Sequence, residues 1–260
     1  MTISAGFMGK VTVDGNATYV NSCSIARKQG VQIPDAVMGT YQRVVGGADK
    51  IEISGGCSGP VTDSFVSIWG YALNRTGACP QPEKIDITVD MGCSNDVHTY
   101  NVMINSATLS CTAGDVVQFS FDVIGNDAGG VVGAGGDFGS GRVVTWDSIV
   151  VDNPPGSGEV ASVEMTINNA CTPIYKIGSG TLWPDDIIGG IQTITGSVSV
   201  YGGTFDAAGW ERQSDFASGT GSISFGSLGT VTGVTYHRPV PNLGVGPVII
   251  QYPFTCTFIT

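Results

Sequence analysis

Twice along the chain the same succession of patterns appears, and an ordered repetition restricts the fold more than any single motif does. A short β-rich run ends in Val-Asp, at Val13-Asp14 and again at Val151-Asp152. A turn follows, through Asp14-Gly15-Asn16 in one case and Asn153-Pro154-Pro155-Gly156 in the other. Each turn leads to a second strand and then to a Pro-Asp phrase, QIPDAVMG from Gln32 to Gly39 and LWPDDIIGG from Leu182 to Gly190. A third strand, a variable middle and a closing strand rich in aromatic and β-branched residues complete each side. Matches in one order argue for internal duplication of a β domain. Residues 1–126 are expected to form the first copy, 127–142 a Gly-rich linker or loop, and 143–260 the second.

The strands announce themselves by a period of two. Val163, Met165 and Ile167 alternate with Ser162, Glu164 and Thr166. Ile194, Val198 and Val200 share a side opposite Thr195, Ser197 and Ser199. Val117, Phe119, Phe121 and Val123 alternate with Gln118, Ser120 and Asp122. Successive side chains of a strand point to opposite faces, so each run predicts one buried and one wet face. Composition agrees: the 260 residues include 39 Gly, and only 13% are charged, which favours strands joined by Gly turns over long amphipathic helices. At most one short helix per copy is expected: the first variable middle has a few apolar residues around Trp69 and Tyr71, and the second could hold a short helix near Ala207–Phe216. The fold class is therefore all-β.

Several functions are disfavoured. The net charge is −11 with no Lys/Arg cluster, so the chain lacks the cations that grip DNA phosphates. No apolar run reaches the roughly 18–20 residues of a membrane helix, and no signal peptide is expected in Met1–Lys10. No catalytic constellation stands out. His98 and His237 read as turn or surface residues. Asp185 and Asp186 are adjacent, and neighbours in an extended chain point apart rather than converging on one bond. An Asp after Pro34 or Pro184 reads better as a turn or cap residue. No enzyme activity, cofactor or metal site is expected. The cysteines Cys23, Cys57, Cys79, Cys93, Cys111, Cys171 and Cys256 have long, irregular spacings. They read as buried small hydrophobes or as disulfides within or between subunits, the odd count leaving at least one thiol free or intermolecular.

The run TWDSIVVD through VASVEMTINNACTPIYKIGS to LWPDDIIGGIQTITGSVSVYGG resembles the core of bacteriophage tail tube proteins. An alternating strand from Ser162 ends in a polar turn at Asn169, a connection covers Tyr175 to Gly178, and Pro184-Asp185 precedes the Thr/Ser-rich strand at Thr195-Gly196-Ser197. The family is similar to the tube proteins of type VI secretion systems. The resemblance implies a β-sandwich or half-barrel in each copy and inner sheets that join between subunits into a continuous barrel. It also implies rings that stack into a hollow tube through which DNA passes without specific binding. A duplicated chain would need three copies for a six-domain ring. Implied partners are further copies, a terminator, a tape measure and, in a contractile tail, a sheath, without a membrane; the implied location is the virion tail, after assembly in the bacterial host cytoplasm. Lys50, Glu52, Ser54, Ser162, Glu164, Thr195, Ser197 and Ser199 are the candidates for the lumen wall. The rival reading is a tandem β-sandwich binding module, an adhesin or carbohydrate-binding protein, using aromatics such as Trp69, Trp183 and Trp210.

Overall fold

A computed structural model describes residues 10–31, 48–62, 65–73, 75–76, 81–90, 97–131, 142–152, 159–177, 181–201, 221–237, 240–242, 249–256 and 258–259. The strands of the first half are β1 (Lys10–Val13), β2 (Asn16–Thr18), β3 (Ser22–Cys23), β4 (Ala26–Val31) and β5 (Ala48–Pro60). After helix α1 (Phe65–Leu73) come β6 (Arg75–Thr76), β7 (Gln81–Pro82), β8 (Ile85–Asp90), β9 (Val97–Thr112) and β10 (Gln118–Val131). The second half holds β11 (Val150–Asp152), β12 (Glu159–Asn168), β13 (Thr172–Ile174), β14 (Asp186–Ile188) and β15 (Thr193–Tyr201). It ends with β16 (Gly221–Ser224), β17 (Thr230–Tyr236), β18 (Val240–Asn242), β19 (Ile249–Cys256) and β20 (Phe258–Ile259). The protein is mainly β, as expected, with most strands in one curled half-barrel sheet.

Local chemistry explains the elements. β1 and β2 meet at a two-residue turn in which Asp14 (φ 45°) and Gly15 (φ 80°) both take the left-handed region, the conformation an Asp-Gly hairpin favours. In α1, Phe65, Ile68, Trp69 and Ala72 recur at helical spacing and are buried, and Phe65 stacks on Phe119 of β10 with ring centroids 4.2 Å apart. The alternations hold along β10, β12 and β15: Phe119, Phe121, Val123, Val163, Met165, Ile167, Val198 and Val200 all enter one apolar core with the buried face of α1.

The pairing order of the two halves repeats. In the first, β1 pairs with β8, β8 with β9, β9 with β10, β10 with β5, and β5 with β4. In the second, β11 pairs with β16, β16 with β17, β17 with β19, β19 with β15, and β15 with β12. The register repeats as well. Val13 faces Ile87 as Val151 faces Ile223. Ile85 faces Val102 as Gly221 faces Val234. Met103 faces Ile124 as Thr235 faces Thr255, Gly55 faces Val123 as Gly196 faces Phe254, and Ser22 faces Ser58 as Ser162 faces Ser199. The Val13-Asp14 and Val151-Asp152 stretches matched in the sequence thus occupy matching ladder positions.

Three placements differ from expectation or extend it. His98, expected as a turn or surface residue, is exposed, but it lies in a strand as the second residue of β9 and faces Val89, because the pairing with β8 already begins at Val97. Trp69, offered by the rival reading as an exposed aromatic, is 2% exposed in the core. Within the Gly-rich stretch, residues 127–131 belong to β10. The phrase QIPDAVMG, the helix expected near Ala207–Phe216, Cys79, Cys93, Trp210 and residues 132–141 lie outside the described residues.

Candidate assembly face and seam

The two halves are joined by main-chain pairing. β12 lies antiparallel to the last part of β9, from Ser162 opposite Thr112 to Asn168 opposite Ser106. On the core side the pairs are Val163 with Cys111, Met165 with Leu109 and Ile167 with Ala107, all buried. The seam is bonded at both ends: Ala113 N–H donates to the Ala161 carbonyl at 2.8 Å, and Asn169 N–H to the Asn105 carbonyl at 2.8 Å. Burying Val163, Met165, Ile167 and Leu109 contributes on the order of 10 kcal/mol relative to exposing them.

Asn169 pins this seam to α1. It is fully buried, and its Nδ2 donates to the carbonyls of Ala72 at the end of α1 and Ile104 on β9, each at 3.0 Å. Gln192 Nε2 donates to Asn169 Oδ1 at 3.0 Å and lies 3.2 Å from the Ala72 carbonyl. Its neighbour Asn168 accepts the Ala170 N–H at 2.8 Å and holds Ala170 at φ 47°. The polar Asn-Asn turn of the sequence is therefore a buried bracket joined to a local cap. At Gly196 the backbones approach closely: a Cβ there would overlap the Glu164 carbonyl and the Phe254 ring.

The opposite face of the sheet carries a continuous line of hydroxyls. Through paired positions it runs Ser22, Ser58, Ser120, Thr108, Thr166, Thr195, Thr255, Thr235. Ser22 and Ser58 hydroxyls are 2.8 Å apart, and Thr108 and Thr166 hydroxyls 2.9 Å. In the flanking rows stand Asp122, bonded by Ser106 at 3.1 Å, and exposed Glu164, opposite Ser110 and Ser197. These three rows hold no Lys or Arg among the described residues. Such a surface is wet, neutral to acidic, and without the paired cations that hold a phosphate.

The structure places five of the eight wall candidates, Ser162, Glu164, Thr195, Ser197 and Ser199, together on this face of β12 and β15. Lys50, Glu52 and Ser54 occupy the same face of β5, at its other end. There the face is partly overlain: Met103 and Ile124 pack against Cys171 and Ile187 of the β13–β14 segment, and the Lys50 ammonium sits 5.4 Å over the Tyr175 ring. This overlay was not visible in the sequence. It is anchored where Tyr175 donates to the Ile51 carbonyl at 3.0 Å and where Ile51 N–H donates to the Leu182 carbonyl at 2.9 Å. Trp183, half-buried, takes the Arg27 guanidinium at 5.0 Å over its ring.

Asp185 and Asp186 point apart into separate ion pairs, Asp185 with Lys176 and Asp186 with Lys84 at 2.6 Å. The Lys84 hydrogen bond holds the Asp186 carboxyl below its ordinary range, while Asp185 keeps the Lys176 ammonium above its own. Neither carboxylate faces a nucleophile or base among the described residues. Cys23 and Cys57 are directly opposite on β3 and β5 and form a disulfide. Cys111 and Cys171 are buried and Cys256 is half-buried, its thiol pushed up to about 11 by burial. His237 is exposed just after β17, with Nε2 3.1 Å from the Thr255 hydroxyl.

A curled antiparallel sheet with an apolar core on one face and a hydroxyl-lined band on the other, overlain at one end by the β13–β14 segment, defines a mainly β protein that presents an extended polar surface. The particular kind is given by comparison: the family model described as "Phage tail tube protein" matches residues 1–257, and the chain belongs to that family. No curated protein matches the sequence significantly. The protein is thus a structural component of the virion tail that self-assembles into a tube with other tail proteins.

Proposed function

We propose that three copies of the chain close into a ring of the tail tube, each copy supplying two tandem domains, residues 1–126 and 143–260, joined through 127–142. Stacked rings then form the hollow conduit through which DNA leaves the virion. The single observation that carries this reading is the hydroxyl line from Ser22 to Thr235 on the face opposite the core. A wall with Glu164 and Asp122 and, among the described residues, no Lys or Arg in its central rows repels a polyanion and offers it little to bind. Assembly takes place in the host cytoplasm. A sheath in a contractile tail, a terminator and a tape measure are the other contacts of such a tube.

The register supports a wall that can close. A line across paired residues leaves Ser22 and reaches β12 at Thr166, whereas the residue in Ser22's place in the second half is Ser162. The line climbs four residues (166 − 162) while crossing from one half to the next, past β3, β5, β10 and β9. With ~3.3 Å per residue and ~4.8 Å between strands, that stagger tilts the strands by about 35°. Six such units give a closed wall of roughly 24 strands (6 × 4), a backbone circle about 45 Å across. Closed rotational symmetry stops growth in the plane, and head-to-tail stacking continues along the axis. Electron microscopy of the purified chain tests this. Stacked rings of three chains with a central hole are expected; six chains per ring, or a chain that stays monomeric at every concentration, refutes it.

A further inference from the structure

The internal seam has a counterpart that the chain cannot complete by itself. β12 is sandwiched between β15 and β9. Its equivalent, the strand that runs through β3 and β4, pairs with β5 on one side only among the described residues. The last part of β9 pairs with β10 and β12. Its equivalent β18 faces Gln251 of β19 at Val240, as Thr108 of β9 faces Ser120 of β10, and has no second strand partner among the described residues.

We propose that neighbouring chains join through these two edges in the register of the internal seam, β4 of one copy antiparallel to β18 of the next. The inference rests on the ring reading and deepens it by naming the surfaces. Replacing each seam residue by its equivalent turns Thr166–Thr108 into Ala26–Val240, Met165–Leu109 into Ile25–Pro241, and Glu164–Ser110 into Ser24–Asn242. The backbone groups point the right way. Ser24 N–H donates to the Gly56 carbonyl, so Ser24 faces β5 and Ile25, by alternation, faces outward. His237 N–H donates to the Pro253 carbonyl, so Pro253 and Gln251 face β18; Val240 bonds Gln251 and Pro241 faces outward.

Proline makes this second seam unlike the first. Leu109 offers β12 both an N–H and a carbonyl, whereas Pro241 has only the carbonyl. The Ile25 N–H has an acceptor across the joint, and the Ile25 carbonyl has no donor from Pro241. The edge can receive one partner strand yet is a poor template for indiscriminate pairing, which is what proline achieves on exposed sheet edges. Within a ring the seams would alternate, fully bonded inside each chain and one donor short between chains.

Cysteine trapping tests the register. Thr108 and Thr166 hydroxyls are 2.9 Å apart on the internal seam, so Ala26→Cys with Val240→Cys puts two thiols at the equivalent, non-hydrogen-bonded pair, where Cα atoms lie about 4.5 Å apart and a disulfide closes. Oxidised tubes of the double variant are expected to run as covalently linked dimers and trimers on a non-reducing gel. Ala26→Cys with Asn242→Cys, out of register, is expected to stay with the wild-type pattern. Tubes that form without linking, or that link equally with the displaced pair, overturn this joint and leave the ring reading standing. A wild-type chain that makes no tube overturns both. Should the variants fail to assemble, hydrogen exchange of the wild type decides: the outward-facing Ile25 and Arg27 amides gain protection at least tenfold on assembly, and unchanged exchange there overturns the proposal.

Discussion

Removing the Asn169 side chain tests whether the bracket at the seam carries the stability its geometry implies. Asn169→Ala deletes two donors and one acceptor at a fully buried position. The Ala72 carbonyl keeps the Gln192 amide at 3.2 Å, and that amide also lies 3.4 Å from the Leu73 carbonyl. Of the side-chain donors among the described residues, the Cys171 thiol stays with the Ile104 carbonyl at 3.6 Å, and it is a weak donor. The loss is therefore close to one buried acceptor left bare, about 1–3 kcal/mol, plus about 1 kcal/mol for the space vacated. A total of about 2–4 kcal/mol corresponds to a midpoint about 4–16 °C lower for a chain of this size. Thermal unfolding followed by circular dichroism reads it directly. Asn169→Asp separates causes, because it keeps the shape and forfeits both donors while burying a carboxylate; it is expected to be at least as damaging as alanine. A midpoint within 2 °C of wild type for both variants would refute the assignment of Asn169 as the link between α1, β9 and β12.

Gly196→Val is expected to cost more than about 3 kcal/mol or to abolish soluble expression, because the added side chain meets the Glu164 carbonyl and the Phe254 ring; urea unfolding measures it. Tyr236→Phe is expected to be neutral to about 1 kcal/mol stabilising, since the buried Tyr236 hydroxyl has no hydrogen-bond partner among the described residues. The same residue predicts an alkaline limb. Burial raises its pKa to about 12, so its contribution is complete below pH 10 and fades as pH climbs from 10 to 12, and melts of Tyr236→Phe should be flatter across that window. Asp186 has the opposite sign: Lys84 lowers its pKa, so its support is present above the ordinary carboxylate range and is lost as pH falls through the lowered value. With side chains 35% and 53% exposed, the pair is worth less than about 1 kcal/mol, and Asp186→Asn melts should show no more. Glu164→Lys with Asp122→Lys should leave tubes intact but make them retain duplex DNA in low salt, by gel shift; tubes that still ignore DNA would argue against an electrostatic role for this face.

Which face of each strand enters the core was legible from the period of two, and Met165, Val198 and Phe121 are where alternation puts them. The correspondence of Ile53-Ser54-Gly55-Gly56 with Thr195-Gly196-Ser197 was harder, and the ladder aligns it: Gly55 and Gly196 face Val123 and Phe254. A Cβ at Gly55 would strike the Ser24 backbone, as one at Gly196 would strike the Glu164 carbonyl, so both glycines answer one demand for close approach. Partner choice was not legible. β9 serves β8 with its first residues and β12 with its last, changing partner along one edge around the irregularity near Asn105 while β10 runs along the other, and no local pattern in Val97–Thr112 encodes that change. The Cys23–Cys57 bond was hidden for the same reason: nothing in the spacing of seven cysteines says that β3 lies beside β5.

The most informative positions are those where the repeated ladders diverge. Met103 and Ile124 are packed beneath Cys171 and Ile187, and their equivalents in the second half are Thr235 and Thr255. Leu109, sealed in the internal seam, corresponds to Pro241 on an outer edge. In each case the apolar or donor-bearing residue occurs where the same chain covers it, and the polar or donor-free residue where the described chain does not. A repeat under packing constraint alone would keep the same residue class at matched ladder positions. Divergence of this kind at an uncovered edge is what an unassembled subunit needs: the edge must stay soluble and unpaired until the correct strand arrives. On this reasoning the second half sacrifices seam strength for control, and a Pro241→Ala variant should assemble at a concentration about 2–10-fold lower than wild type, the equivalent of one restored hydrogen bond. An unchanged threshold, measured by light scattering, would mean that the proline shapes only the local turn and that assembly is limited elsewhere.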